Sequence, residues 1–253
     1  MRSLKDKVIL ITGGGRGIGR AAVRRFTAEG GKVAFCARSE GEVAATASEI
    51  KETGGQVLSF RADISSRREV QRMVSRVTSE LGIIDLLINN AGVLGPSETI
   101  ATYRPEAWEE VIRINLNGTF LVTHTVVRTM IPRRSGTIIS LTSSVGRKGR
   151  AKWGAYAVSK FGLEGLMQTL AEEVAPFHLR TITLNPGATR TKMRSAAFPE
   201  EDPGKLQAPD EVARALHYLA ISTDTSLHGR SLNMSDLPLE AWPSKHPDNG
   251  GPR

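Results

Sequence analysis

The sequence predicts one α/β domain in which a parallel sheet of about seven strands carries helices on both faces. Short runs of apolar, mostly β-branched residues alternate with longer amphipathic stretches along most of the 253 residues. Strands buried on both faces are apolar at consecutive positions, as these runs are. No repeat or flexible linker interrupts the alternation, and a doubly wound sheet of this length commonly forms one domain. We therefore expect one domain over residues 1–237 and a poorly ordered tail, rich in proline, over 238–253.

The apolar and amphipathic segments give the expected elements. The predicted strands are Val8–Thr12, Lys32–Ala37, Gln56–Arg61, Leu86–Asn89, Thr137–Leu141, Thr181–Asn185 and Ser231–Met234. The predicted helices are Ile18–Glu29, Glu42–Thr53, Glu69–Leu81, Pro105–Met130, Tyr156–Val174 and Pro209–Ile221. Pro105 and Pro209 stand where a first-turn proline is tolerated. Residues 190–208 contain two prolines and a glycine, and we expect a substrate loop or a broken helix there.

Composition excludes several classes of protein. The only cysteine is Cys36, so no intrachain disulfide can form and nothing suggests an oxidising compartment. The apolar run that follows the polar N-terminus is too short for a signal peptide or a membrane span, and we expect a cytoplasmic protein without a membrane partner. His124 and His178 show no ligand spacing with other metal-binding residues, and no metal is predicted.

The net charge of +8 is compatible with anionic ligands or with a solvated basic surface. No helix-turn-helix, zinc or RNP pattern accompanies the charge, so no nucleic-acid partner is predicted. Gly-x-Ser-x-Gly is absent, which leaves a hydrolase triad without support.

A glycine-rich segment between the first strand and the first helix is typical of a phosphate-binding loop. Glycine allows a sharp turn and a close approach of the backbone to phosphates, and the helix N-terminus supplies unpaired N–H groups. Because strand, loop and helix begin a βαβ unit, a dinucleotide site of the Rossmann type is favoured over a glycine turn without a ligand. The residues expected to contact the dinucleotide here are Thr12, Gly13, Gly15, Arg16, Gly17, Ile18 and Gly19.

The end of the second strand favours NADP(H) over NAD(H). An NAD site usually carries an Asp or Glu about 20 residues after the glycines, whereas an Arg accommodates a 2′-phosphate. Here residues 36–39 read Cys-Ala-Arg-Ser, which places Arg38 where the acid would stand. Arg16, in the glycine loop, is placed to reach the same phosphate. Asp63, after the third strand, suits a hydrogen bond to the adenine edge, although a strand-end turn residue is the alternative.

Tyr156 and Lys160 are candidates for proton transfer. Four residues apart on a helix, they lie on one face and reach one site. The reference pKa of tyrosine is near 10, and a nearby ammonium favours the phenolate. We expect Lys160 to lower the pKa of Tyr156 towards the operating pH, where a general acid/base works best. Taken alone, the pair is more typical of an amphipathic surface helix.

Six motifs give the pair its context, because they occur in the order and spacing of one family. They are Thr12-Gly13-x-x-x-Gly17-x-Gly19, Asn89-Asn90-Ala91-Gly92, Asn115, Ser143, Tyr156-Ala157-Val158-Ser159-Lys160 and Asn185-Pro186-Gly187. On these motifs, residues 5–234 resemble the short-chain dehydrogenase/reductase family. The resemblance implies an oxidoreductase that moves hydride between a nicotinamide and a small carbonyl or alcohol substrate.

The resemblance also implies roles for single residues. Ser143 would hold the substrate oxygen as charge develops on it, with Ser144 as the competing choice. Asn115 matches the position that breaks a helix and holds a water for the proton relay, and Asn117 is a less favoured candidate. Thr191 matches the residue that binds the nicotinamide carboxamide. The other cofactor contacts implied are Ile64, Asn89, Ala91, Gly92, Pro186, Gly187 and Thr189, together with Tyr156 and Lys160.

Two segments bear on substrate and assembly. Residues 190–208 resemble those of a bacterial, 3-oxoacyl-reductase-like subgroup and lack the long helical insertion of members that reduce large acyl substrates. Residues 233–236 read Asn-Met-Ser-Asp in place of the usual Val-Asp-Gly-Gly. We expect a homodimer or homotetramer. That segment often contributes to packing in family tetramers, so the departure leaves the arrangement of the subunits undecided.

Three functions are compatible with these motifs. The leading one is a carbonyl reductase or alcohol dehydrogenase, and a 3-oxoacyl thioester reductase of fatty-acid synthesis is similar in motifs. A non-catalytic dinucleotide sensor or a nucleic-acid binder is the alternative from another class. The intact Ser143, Tyr156 and Lys160 argue against a sensor, which needs no proton relay.

Basic residues cluster in the two segments expected to border the site mouth. They could attract a substrate that carries a carboxylate, phosphate or phosphopantetheine group. They could equally solvate the loops or assist the cofactor phosphates, which is the interpretation we favour. The residues are Arg147, Lys148, Arg150, Lys152, Arg190, Lys192 and Arg194.

Overall fold

Seven parallel strands form one sheet in residues 3–238, the part of the chain that the computed structural model describes. The strands are β1 (Val8–Thr12), β2 (Lys32–Ala37), β3 (Val57–Arg61), β4 (Leu86–Asn89), β5 (Thr137–Leu141), β6 (Arg180–Asn185) and β7 (Ser231–Asn233). Their order across the sheet is β3-β2-β1-β4-β5-β6-β7. The order reverses between β1 and β4, and doubly wound sheets bind ligands in the crevice at the carboxyl ends of such a pair.

The centre of the sheet is apolar on both faces. Strands β1 and β4 pair in register, with Leu10 opposite Leu87. Both side chains are fully buried, as are their neighbours Ile9, Ile11, Leu86 and Ile88. Consecutive apolar residues therefore mark these strands because neither face meets solvent.

Helices cover both faces of the sheet. They are α1 (Gly17–Ala28), α2 (Glu40–Glu52), α3 (Arg67–Glu80), α4 (Pro105–Ile112), α5 (Thr119–Met130), α6 (Gly154–Val174), α7 (Lys192–Ala197) and α8 (Pro209–Ile221). The core on one face joins residues of α1, α2 and α8 to the sheet, with Phe26 and Phe35 as its largest side chains. The core on the other face joins residues of α3, α5 and α6, among them Met73, Val126 and Leu163.

The predicted fold class is confirmed, and most elements differ from the prediction only at their ends. The exception is the helix expected over Pro105–Met130, which a π-helical segment at Arg113–Gly118 divides into α4 and α5. The expected loop at 190–208 contains α7 and a 3-10 turn at Pro203–Lys205. The expected tail lies, from residue 239 on, outside the described residues.

The structure also bears on membrane spans and metal sites. No helix within residues 3–238 is long and apolar enough to cross a membrane. In the same range, no group of three or more His, Cys, Asp or Glu side chains is arranged to hold a metal ion.

Candidate active site

The loop after β1 is held to the end of β4 by hydrogen bonds of Thr12. The Thr12 hydroxyl accepts from the backbone N–H groups of Asn90 and Ala91, at 3.0 and 3.1 Å. The Asn90 side-chain amide donates in return to the carbonyl oxygens of Thr12 and Gly13, at 2.9 and 3.0 Å. These bonds fix the loop at the point where the strand order reverses.

Glycine is required at two positions of this loop. Gly13 has φ +69°, and a Cβ there would lie 2.8 Å from the Ala91 Cα. A Cβ at Gly19 would overlap the Gly13 carbonyl group. Helix α1 begins at Gly17 without an acidic residue in its first turn and without a side-chain cap from Arg16. Its N-terminal N–H groups are therefore available to an anion, and the loop fits the pyrophosphate of a dinucleotide.

A cavity of about 770 Å³ runs from this loop to α6 at the carboxyl ends of the strands. Its volume lies within the range of ligand and cofactor sites. Fourteen of the residues predicted from the sequence line it. They are Gly13, Gly15, Arg16, Gly17, Ile18, Arg38, Asp63, Ile64, Ala91, Gly92, Tyr156, Lys160, Pro186 and Thr191.

The other predicted cofactor contacts, Thr12, Gly19, Asn89, Gly187 and Thr189, do not line the cavity. Asn89 is buried, and its amide donates to the hydroxyls of Thr123 and Ser140 at 2.9 and 3.1 Å. Its neighbour Asn90, for which the sequence motifs imply no role, lines the cavity instead. Successive side chains of a strand point to opposite faces, and this alternation separates the two asparagines.

Arg16 and Arg38 stand at the end of the cavity where a 2′-phosphate is expected. Arg16 pairs with Glu42 at 3.2 Å, and Arg38 pairs with Glu110 at 3.4 Å. Both guanidinium groups are more than half exposed. Exposed ion pairs contribute little free energy, so a phosphate can replace these carboxylates at small cost.

Asp63, predicted to bind the adenine edge, lines the cavity but has other partners. Its carboxylate accepts from the backbone N–H and hydroxyl of Ser65, at 2.9 and 2.7 Å, and pairs with Arg113 at 3.4 Å. Although burial alone would raise the pKa of Asp63, these hydrogen bonds and the Arg113 charge hold it below its usual value. The residue is therefore a structural turn residue as well as a cavity residue.

The structure brings Tyr156, Lys160 and Ser143 together at the other end of the cavity. Ser143 lies close enough to Tyr156 to lower its pKa. Lys160 is 6% exposed, donates to the Leu141 carbonyl at 2.7 Å, and holds its Nζ 5.7 Å from the centroid of the Tyr156 ring. Ser144, the alternative to Ser143, is exposed in the 3-10 turn that Ser143 caps. Proximity to Tyr156 favours Ser143.

The pKa of Tyr156 differs from the expectation. Burial raises it to about 12, and the nearby Ser143 opposes this only in part. Burial also lowers the pKa of Lys160 to about 8, while the Glu164 charge acts in the opposite direction. Desolvation therefore outweighs the predicted effect of lysine on tyrosine in the protein alone.

Asn115 lies in the π-helical segment and is 1% exposed. Its side-chain oxygen accepts from the Val93 N–H at 2.8 Å, and its amide donates to the Val93 carbonyl at 2.8 Å and to Ser159 at 3.1 Å. Ser159 in turn donates to the Tyr156 carbonyl at 2.7 Å. The predicted local break in the helix is present, and the side chain ties the loop after β4 to α6.

These motifs are matched, in sequence, by known proteins. A family model described as short chain dehydrogenase matches residues 7–202. The chain belongs to the short-chain dehydrogenase family. The uncharacterized oxidoreductase YciK of Escherichia coli is 39% identical over 212 residues, which make up 83% of this chain and 84% of that protein. The 3-oxoacyl-(acyl-carrier-protein) reductase FabG of Thermotoga maritima is 32% identical, over 91% of this chain and 97% of FabG.

Solved structures agree with this assignment. A short-chain dehydrogenase of Shigella flexneri, crystallised in complex with NADP, superposes with a TM-score of 0.87 at 36% identity, covering 93% of this chain and 100% of that one. Levodione reductase superposes with a TM-score of 0.85 at 30% identity, over 91% of this chain and 96% of that one.

In this short-chain dehydrogenase, sequence reasoning missed a buried carboxylate beside Tyr156 and Lys160. Glu164, one turn after Lys160 on α6, is 6% exposed. It accepts from the hydroxyls of Ser231, at 2.9 and 2.7 Å, and Thr183, at 3.0 Å. Arg147 pairs with it at 3.4 Å. The sequence feature that could have identified Glu164 is its spacing of four residues from Lys160, which places both side chains on one face of the helix.

The basic residues predicted at the mouth of the site differ in their contacts and do not all line the cavity. Arg147 is bound to Glu164 and, through Asn233 and Ser231, to β7. Arg194 forms two hydrogen bonds of 2.6 Å with Glu201. Lys148, Arg150 and Lys152 are exposed and do not line the cavity, whereas Arg190 and Lys192 do.

An aromatic cluster that the sequence motifs do not include joins α7 to α6. The Trp153 ring lies 5.7 Å from the Tyr156 ring and 5.8 Å from the Phe198 ring. The Arg194 guanidinium lies 3.9 Å above the Phe198 ring. This short-chain dehydrogenase therefore has an apolar wall beside its proposed proton donor.

Proposed function

We propose that this chain is an NADP(H)-dependent oxidoreductase that transfers hydride between the nicotinamide and a carbonyl/alcohol substrate. The observation that carries the proposal is one cavity lined by Tyr156 and buried Lys160, one helical turn apart, at one end and by the glycine loop at the other. A proton donor and a dinucleotide cradle in one cavity suit reduction of a carbonyl group.

When bound, NADP(H) supplies or accepts the hydride. Tyr156 serves as the general acid in reduction, because its high pKa keeps the hydroxyl protonated at neutral pH. Ser143 binds the substrate oxygen beside the tyrosine and stabilises the charge that develops on it. Lys160, fixed by the Leu141 carbonyl, supports proton exchange at Tyr156, and Asn115 anchors the elements around the pair.

The choice of NADP(H) rests on charge. Arg38 directly follows β2, where an NAD site would have an acid, and Arg16 lines the same cavity. The Shigella flexneri neighbour is a complex with NADP, which supports the proposal. Contacts to the remainder of the cofactor are proposed for the cavity residues Gly13, Gly15, Gly17, Ile18, Asp63, Ile64, Ala91, Gly92, Pro186 and Thr191.

A 3-oxoacyl thioester reductase is the second candidate. The FabG relative, 32% identical over 97% of its length, favours it. The compact α7 and the wall of Trp153 and Phe198 favour a smaller substrate. A dinucleotide sensor has no use for a lysine desolvated next to a tyrosine, which argues against it.

The deciding experiment mixes purified protein and NADPH with a panel of ketones, quinones and 3-oxoacyl thioesters, and follows NADPH oxidation. Turnover of a ketone or quinone supports the leading candidate, and turnover restricted to thioesters supports the second. NADPH binding without turnover of any member would instead favour the sensor.

We also propose that the protein acts in the cytoplasm as a homodimer or homotetramer. Three large apolar side chains on α5 and α6, namely Phe120, Val158 and Phe161, are each more than 40% exposed. Burial in a subunit interface would remove them from water. Sedimentation velocity on the purified protein tests the assembly, and a single monomeric species would contradict it.

A further inference from the structure

A second cavity, of about 580 Å³, lies at the β3 edge of the sheet, next to the dinucleotide cavity. Arg38 lines both cavities and so forms part of the wall between them. The second cavity, here called the arginine groove, is lined by five arginines. They are Arg38, Arg61, Arg68, Arg72 and Arg76.

The carboxylates of the arginine groove are engaged in other contacts. Asp63 pairs with Arg113 at 3.4 Å, outside the groove lining. Glu69 accepts the backbone N–H of Asp63 at 2.9 Å. Within residues 3–238, no carboxylate forms an ion pair with Arg61, Arg68 or Arg72, and all three are exposed. The groove therefore has an excess of positive charge.

Three of the arginines form a row along α3. Arg68, Arg72 and Arg76 follow one another at intervals of four residues, which is a rise of about 6 Å for each step on one face of the helix. Arg76 is held by Glu80 at 2.8 Å and lies 5.2 Å above the Phe60 ring. Like charges at this spacing destabilise a helix, and an anion bound along the row would remove the repulsion.

We propose that the arginine groove is a second anion site that binds an oligophosphate chain, either free or carried by a nucleotide. Guanidinium groups bind phosphate oxygens through paired hydrogen bonds. A chain with several charged groups can contact successive arginines of the row, whereas a single carboxylate contacts fewer of them. The site requires no hydride transfer. It shares Arg38 with the dinucleotide cavity, whereas Arg61, Arg68, Arg72 and Arg76 line the groove alone.

Isothermal titration calorimetry on the full-length protein tests the proposal, with sodium tripolyphosphate and ATP as probes, in the absence and presence of saturating NADPH. With NADPH filling the dinucleotide cavity, we expect saturable binding of each probe at one site. The double variant R68Q/R72Q is expected to weaken binding at least tenfold. The matched variant R128Q/R230Q removes two exposed arginines that line neither cavity, and it should bind as the wild type does.

The possible results of the titrations lead to different conclusions. Absence of saturable binding, complete displacement by NADPH, or equal weakening in both double variants would overturn the proposal. Similar affinities for the two probes would assign recognition to the phosphate chain alone, and tighter binding of ATP would assign a contribution to the nucleoside. Thermal melting of both double variants checks that the fold is retained.

Discussion

The Glu164 carboxylate lies one helical turn beyond Lys160, and its charge raises the pKa of a lysine that burial lowers to about 8. Hydrogen bonds from Ser231 and Thr183 hold this carboxylate in place. The charge state of Lys160 therefore depends on a residue that the sequence motifs do not include.

We predict that Glu164→Gln moves the alkaline limit of reduction to lower pH. In the proposed mechanism the Lys160 ammonium supports proton transfer, so kcat/KM should fall as the pH rises through the lysine pKa of about 8. Removing a negative charge near the ammonium lowers that pKa, so the fall begins at lower pH. The measurement is a profile of kcat/KM against pH from 6 to 10.

The matched control for this profile is Glu173→Gln, an exposed position on the same helix. It should leave the profile unchanged. A Glu164→Gln enzyme with reduced activity but an unchanged alkaline limit would assign Glu164 a purely structural role.

Tyr156→Phe is predicted to lose reduction while retaining NADPH binding. The hydroxyl is the proposed proton donor, and loss of a positioned acid costs about 10²–10⁴ in rate. The aromatic ring and its contact with Trp153 remain in the variant. Steady-state kinetics gives the first quantity, and a fluorescence titration with NADPH gives the second. Near-normal turnover would remove Tyr156 from the mechanism.

The sequence predicted those parts of the fold and site that are encoded by residues close together in the chain. Buried strands are visible as apolar runs, and the glycine loop is visible because Gly13 and Gly19 meet steric limits that any side chain would violate. The helix break at Asn115 was expected only from the family resemblance. The apolar periodicity there is nearly that of an α-helix and predicted one continuous helix.

Side-chain pairing and burial, which the sequence does not show, account for the remaining differences. Arg147 and Arg194 were predicted from the sequence to be among the cations at the mouth of the site. Their carboxylate partners, Glu164 and Glu201, become visible only when the chain is folded. The high pKa of Tyr156 likewise follows from burial, which residue spacing does not report.

Arg38→Asp is predicted to reverse or erase a preference for NADPH over NADH. The guanidinium stands at the end of β2, where an acid would bind the ribose 2′-hydroxyl of NADH and repel a 2′-phosphate. Charged hydrogen bonds contribute about 1.5–3 kcal/mol, so kcat/KM for NADPH should fall about ten- to hundredfold. The measurement compares kcat/KM for both cofactors.

Glu110→Gln is the control for the cofactor experiment, because it frees Arg38 from its ion pair without removing the guanidinium. The preference for NADPH should be retained in this variant. Equal use of both cofactors by the wild type would contradict the proposed role of Arg38.

The last prediction concerns the charge of the substrate, and the structure reduces seven candidate cations to the two that line the cavity, Arg190 and Lys192. If the substrate is anionic, these cations raise the association rate at low salt, and salt screens the effect. With NADPH saturating, R190Q/K192Q should then lower kcat/KM for an anionic carbonyl substrate at low salt and leave a matched neutral substrate unaffected. K148Q/R150Q, which removes two exposed cations outside the cavity lining, is the control for net charge. An equal loss with both substrates would mean that Arg190 and Lys192 serve the cofactor phosphates, and an equal loss in both variants would mean that only the overall charge matters.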